Sequence, residues 1–155
     1  MPRTAATNRT VERAELEKFL RPRHRGLVIT RRSDGSPQVS PVSCGLDREG
    51  RIVVATYPER AKVANARRDP RVGIVVLSDE WNGPWVQVDG DAEVLDAADA
   101  LDEFVEYFRS ISGEHPDWVE YRQAMLDQGK VLLRITPTRW GPIATGGFPA
   151  RLVDD

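Results

Sequence analysis

The sequence predicts an α+β fold that is mainly β: six or seven mostly antiparallel strands, with helices inserted between them, forming a small closed or split barrel. Three observations predict it. Short runs of β-branched and apolar residues recur along the chain, among them RGLVITRR, IVVA, VGIVVL and GKVLLRITP. Tight turns such as Ser33-Asp34-Gly35-Ser36-Pro37 and Asp47-Arg48-Glu49-Gly50 leave no room for helical crossovers, so they join antiparallel neighbours. Segments with helical spacing are few and do not alternate one for one with strands.

In order, residues 1–9 read as a loose tail. Thr10 is placed to cap a helix over Val11–Leu20, closed by Pro22. Strands follow at Arg25–Arg32, Gln38–Leu46 and Ile52–Ala55. Pro58 stops the third, since proline cannot donate to a ladder. A helix over Glu59–Arg68 and a strand over Val72–Leu77 come next, then a polar loop, Ser78–Pro84, bearing Trp81. WVQVDGDAEVL alternates over Trp85–Leu95, with Gly90 as a bulge or point of close approach. Asp96 is placed to cap a helix over Ala97–Ser110 whose Leu101, Phe104, Val105 and Phe108 form an apolar stripe, read as packing. A second amphipathic helix spans Asp117–Asp127. Strands at Gly129–Pro137 and Arg139–Thr145 end the fold, and the glycine-rich chain from Gly146 reads as a second flexible tail. The 155 residues fit one domain, 1–155.

The most informative stretch is YPERAKVANARRDPRVGIVVL, Tyr57–Leu77. Ala61, Ala64 and Ala66 favour helix, Glu59 is expected in its first turn, and Arg67 and Arg68 suit its last. Asp69-Pro70 ends it. Arg60 and Lys62 sit at the helix entrance, where free backbone N–H groups already favour an anion. A phosphate or carboxylate site follows from that spacing; the bland alternative is a solvated basic face. Asn65 is free to cap, to bond a ligand, or to do neither.

Composition narrows the function further. With 22 Lys and Arg against 24 Asp and Glu, the net charge of −2 argues against a nucleic-acid partner, so the local basic cluster suits a small anion. One cysteine, Cys44, forms no intrachain disulfide and reads as a core thiol. The polar N-terminus lacks a signal core and no run approaches a membrane span, which points to a soluble, cytoplasmic protein without a membrane partner. His24 and His115 lack partners at ligand spacing, so no metal site is expected. GxSxG, Walker and GxGxxG motifs are missing, and no catalytic residue is identifiable. What is left, an anion site beside a barrel with tryptophans near, suits an aromatic, phosphate-bearing cofactor that brings its own redox chemistry.

The order of elements, together with YPERAKVANARRDPRVGIVV, WVQVDGDAEV and YFRSISGEHPDWVEYRQAM, resembles the split β-barrel flavin and deazaflavin oxidoreductases. It is most similar to the actinobacterial, pyridoxamine 5'-phosphate oxidase-like branch that uses coenzyme F420. The resemblance covers about residues 11–142 and implies an FMN-binding split-barrel type of fold, assembled as a homodimer with cofactor sites at the interface. It implies that Arg60 and Lys62, with Ala61 and Asn65, hold the cofactor phosphate and acidic tail. Ser40, Pro41, Val42, Ala55 and Thr56 would line the ring pocket, with Trp85 and Gln87 reaching it from the partner subunit. The implied reaction is hydride transfer between deazaflavin and a conjugated or unsaturated small molecule. The alternatives are an FMN-dependent pyridoxamine phosphate oxidase-like enzyme or flavin reductase, and a non-catalytic cofactor- or tetrapyrrole-binding protein.

Overall fold

The computed structural model describes residues 2–153. In chain order these form β1 (Thr7–Arg9), α1 (Arg13–Leu20), β2 (Arg25–Arg31), β3 (Pro37–Ser43), β4 (Gly45–Leu46), β5 (Ile52–Thr56) and α2 (Ala61–Arg68). Then follow β6 (Arg71–Leu77), β7 (Val86–Asp96), α3 (Leu101–Ser112), α4 (Trp118–Asp127), β8 (Val131–Trp140) and β9 (Ile143–Thr145). Seven strands make one sheet in the order β3-β2-β6-β7-β8-β5-β4, and every pairing is antiparallel. β3 and β4 end that order on opposite sides, yet only Cys44 separates them in the chain. The sheet therefore curls back on itself, which makes the α+β split barrel expected from the sequence. No helix of the described residues is long and apolar enough to cross a membrane.

Strand alternation divides the apolar residues between two cores. Val28, Ile74, Val76, Val86, Val88, Leu133 and Ile135 face the barrel interior and are almost wholly buried, joined by Leu16, Phe19 and Leu20 of α1 and Ala66 of α2. On the other side of β5 and β8, Val53 and Leu132 pack against Phe104, Val105, Tyr121 and Met125 of α3 and α4. The Tyr121 hydroxyl donates to the Phe104 carbonyl at 2.9 Å, so its polar end enters the core satisfied. Each large aliphatic or aromatic side chain so buried contributes about 1.5–3 kcal/mol.

Several boundaries differ from the sequence reading. Helix α1 starts at Arg13 with Glu12, not Thr10, at the N-cap; Val11 is withdrawn into the core, where its carbonyl accepts from the Trp140 indole N–H at 2.8 Å. The strand expected over Gln38–Leu46 breaks at Cys44, whose N–H donates to the His24 carbonyl at 2.9 Å and turns the chain from β3 to β4. Asp96 caps no α-helix: a 3-10 turn at Ala97–Asp99 intervenes before α3. Asp117 caps α4, accepting from the Glu120 N–H at 3.1 Å. β8 runs through Pro137 because that residue sits at a bulge opposite Gly90, where no ladder donor is required.

The segments read as tails are tied to each other. β1 pairs with β9, Thr7 opposite Thr145, and the Phe148 N–H and carbonyl bond Thr4 and Ala6 at 2.9 Å each. A 3-10 turn follows at Ala150–Leu152. Met1, Asp154 and Asp155 lie outside the described residues.

Burial pushes the Cys44 thiol up from 9.0 to about 12. A thiol reagent at pH 8 is therefore expected to label no cysteine in the native protein and one after denaturation; rapid native labelling would contradict this packing. The folded-state value exceeds the unfolded one, so this thiol's stabilising contribution is complete below pH 9 and is lost as pH rises toward 12.

Candidate functional site

The start of α2 carries the strongest charge feature. Pro58 and Glu59 are in a turn closed by the Arg60 N–H on the Tyr57 carbonyl at 3.1 Å, so the helix begins at Ala61, two residues later than expected. Arg60 becomes an extended N-cap without a side-chain cap, and Glu59 falls outside the first turn, which holds no acidic residue. The Val63 N–H is taken by the Arg60 carbonyl at 3.0 Å. The Ala61 and Lys62 N–H groups, one turn too early for an intrahelical acceptor, face outward at the positive end of the helix dipole.

Tyr57 and Lys130 extend this feature and were missed in the sequence. Two cations stand over the Tyr57 ring, with Arg60 Cζ at 5.7 Å and Lys130 Nζ at 5.2 Å from its centroid. Lys130 arrives through the β5–β8 register, which sets Thr56 opposite Val131. No local pattern could join residues so far apart in sequence; Tyr57 itself could have been found as the aromatic residue preceding the helix turn. Among the described residues, none of Arg60, Lys62 and Lys130 has a carboxylate within ion-pairing distance. Desolvation first, and Arg60 second, depress the Lys62 ammonium below its ordinary value.

The candidate ring-pocket residues divide between faces. On β3, Ser40 and Val42 turn to the barrel side while Pro41 points outward. Thr56 is buried; Ala55 turns the other way, against the α3–α4 core. The Ser40 hydroxyl is buried without a hydrogen-bond partner. Asn65, a candidate cofactor contact, is engaged inside the fold: its side-chain amide donates to Thr30 Oγ1 at 3.1 Å and accepts from Arg68 at 2.7 Å. Its role here is to tie α2 to β2. His24 is likewise engaged with the Cys44 carbonyl at 2.9 Å, and His115 packs edge-on or tilted in a cluster with Phe108, Trp118 and Tyr121.

Trp85 and Gln87 belong to a separate surface. The registers align outward residues of four strands into rows: Gln87, Val75, Leu27 and Pro41 form one, and Asp89, Gly73, Ile29 and Val39 the next. This face is largely apolar, with Val39 52% exposed and Trp85 39% exposed. Three grooves meet on it. One of about 660 Å³ includes Gln87, one of about 450 Å³ includes both Gln87 and Trp85, and one of about 850 Å³ includes Trp85. Arg60 and Lys62 line none of these three, so within one chain the basic helix start and the tryptophan strand remain distinct surfaces.

Known structures share this architecture. A conserved hypothetical protein of Mycobacterium tuberculosis aligns over 90% of this chain and 89% of its own, with 23% identity and a TM-score of 0.73. A protein described as an F420 reductase aligns over 80% and 94%, with 20% identity and a TM-score of 0.61. An FAD-binding protein of Mesorhizobium loti aligns over 92% and 99%, with 18% identity and a TM-score of 0.62. At these identities the likeness speaks for the fold. Residues 13–144 match the family model described as pyridoxamine 5'-phosphate oxidase, and the chain belongs to that split-barrel family.

Proposed function

We propose that this protein is a homodimeric reductase dependent on coenzyme F420, whose bound deazaflavin exchanges a hydride with a conjugated or unsaturated small molecule. The observation that carries the reading is a set of three cations without a carboxylate partner, Arg60 and Lys130 over the Tyr57 ring and Lys62 close enough to Arg60 to feel its charge, at a helix start with no acidic residue in its first turn. Three cations suit a cofactor with several anionic groups in line, a phosphodiester followed by an acidic tail, better than one carrying a single phosphate. The orphaned Ser40 hydroxyl adds a hydrogen-bonding group on a strand packed against α2.

The chain's own part in the reaction is positional. Arg60 and Lys62, with the N–H groups of Ala61 and Lys62, would hold the anionic end, and Lys130 would extend the hold past Tyr57. The outward rows of β2, β3, β6 and β7 offer an apolar face of the kind that a second copy covers. In the proposed dimer the partner's copy of that face, with its Trp85 and Gln87 positions, borders the ring and excludes water. The family match supports a second reading, FMN in the same place with oxidase or flavin reductase activity.

Titrating the apo-protein in parallel with coenzyme F420 and FMN, following tryptophan fluorescence, separates these. At least tenfold tighter binding of the deazaflavin, by a particle of twice 17.4 kDa in light scattering, is expected. Preference for FMN transfers the assignment to the flavin reading, and binding of neither overturns both.

A further inference from the structure

The chain has three lysines, and their surroundings differ. Lys18 is exposed on α1, Lys130 holds its Nζ 5.2 Å from the Tyr57 ring centroid, and Lys62 stands at the start of α2. Lys62 is half-buried; lost hydration first, and the Arg60 charge second, hold its ammonium below the ordinary value. Among the described residues no carboxylate lies within ion-pairing distance to offset either cost. Desolvation and a neighbouring cation are the two conditions that turn a lysine from a fixed charge into a nucleophilic amine.

The same turn offers an anchor for an anion. Arg60 is exposed, close enough to Lys62 for its charge to be felt there, and equally without a carboxylate partner. The Ala61 and Lys62 N–H groups between them have no intrahelical acceptor. Positions two apart at a helix start are separated by about 3 Å along the axis. A molecule with a phosphate at one end and a carbonyl a few atoms away therefore meets the guanidinium and the amine together.

We infer that Lys62 condenses reversibly with short aldehydes that carry a phosphate, Arg60 holding the phosphate while Lys62 Nζ takes the carbonyl carbon. Lys62 gives one proton to solvent and its free amine adds to the aldehyde carbon. The carbinolamine so formed loses water, and a C=N bond replaces the C=O bond. No electrons pass to or from the protein, and hydrolysis returns both partners. Water reaches the imine because Arg60 is exposed and Lys62 only half-buried, so the adduct stays in equilibrium with free aldehyde. Selectivity comes from the phosphate, which a planar guanidinium binds in a fixed orientation and so presents the carbonyl to the amine. The adduct occupies the anion site and excludes the cofactor; that consequence rests on the reading above, whereas the condensation does not.

The test incubates the full chain without cofactor with glyceraldehyde 3-phosphate or, at the same concentration, with uncharged glyceraldehyde. Imines are trapped with cyanoborohydride, and peptide mass spectrometry reads the occupancy of each lysine. Glyceraldehyde 3-phosphate is expected to label Lys62 at least tenfold more than Lys18, and at least tenfold more than glyceraldehyde labels Lys62. Arg60→Gln should remove most of the second preference, and so should an excess of inorganic phosphate. Equal labelling of Lys62 by the two aldehydes, labelling of Lys62 no greater than that of Lys18, or labelling of Lys130 in its place overturns the inference. Excess coenzyme F420 should protect Lys62 in the same assay. Labelling that persists under the coenzyme overturns the exclusion together with the cofactor reading, while the comparison of the two aldehydes decides the condensation by itself.

Discussion

Replacing Lys62 with alanine is expected to weaken cofactor binding ten- to a hundredfold while leaving the free protein as stable as the parent or slightly more so. The first half follows from a charge-assisted hydrogen bond to an anion, worth about 1.5–3 kcal/mol. Lys62 is half-buried, so solvent and salt screen it less than they screen Arg60, which is exposed; Arg60→Ala should therefore cost less. The second half follows from the depressed ammonium: in the free chain Lys62 loses hydration and faces Arg60 without a carboxylate in return. Removing it relieves that cost. Fluorescence titration with coenzyme F420 and a urea melt of the unliganded variant read the two halves separately. Unchanged affinity would remove Lys62 from the proposed site, and a large loss of stability would make it a structural residue.

The other large effect is on the fold. A Cβ at Gly90 would lie 2.4 Å from the Thr136 carbonyl oxygen and 2.7 Å from Ile135 Cγ2, so Gly90→Ala must part β7 from β8. Overpacking of this kind costs about 1–3 kcal/mol, and in a chain of this size each kcal/mol lowers Tm by about 2–4 °C. The backbone, not a flexible side chain, is the obstacle. Gly90 sits beside the bulge where Asp89 opposes Arg139 and Gly90 opposes Pro137; Thr138 is the extra residue, its hydroxyl donating to the Asp89 carbonyl at 3.2 Å. The same substitution should therefore also disturb Gln87 and Trp85 upstream. Gly73→Ala is the control, since its Cβ would meet Asp89 Oδ1 at an ordinary 3.4 Å, and it should be near neutral. Equal melting of both variants would mean that the bulge absorbs a side chain.

How far the sequence could be read depended on the range of the interaction. Turns and breakers act locally, so Pro58, Asp69-Pro70 and Ser33–Pro37 delimited most elements correctly. The helix at Ala61 came two residues late because Pro58 and Glu59 prefer the turn that the Arg60 N–H closes. The start of the chain looked unstructured because β1 has no apolar run of its own; it is a strand by virtue of β9, which falls within the strand expected over Arg139–Thr145. Long-range pairings also hid part of the candidate site. Lys130 reaches Tyr57 only through the β5–β8 register, and the Asn65 side-chain amide donates to Thr30 on β2, a partner that composition could not single out. The outward rows on β2, β3, β6 and β7 needed the registers themselves.

The strand order also determines when the barrel can form during synthesis. β5 and β4 are joined to the other strands by main-chain ladders through β8 alone, with Thr56 opposite Val131 and Ile52 opposite Ile135. A nascent chain that has emerged through β7 can pair β2, β3, β6 and β7, while β5 has only the two residues of β4 to bond and keeps its other edge open. Such an edge is a template for wrong partners. Folding of this protein is therefore governed by its distant pairings, slow for its size and most exposed to aggregation just before β8 emerges.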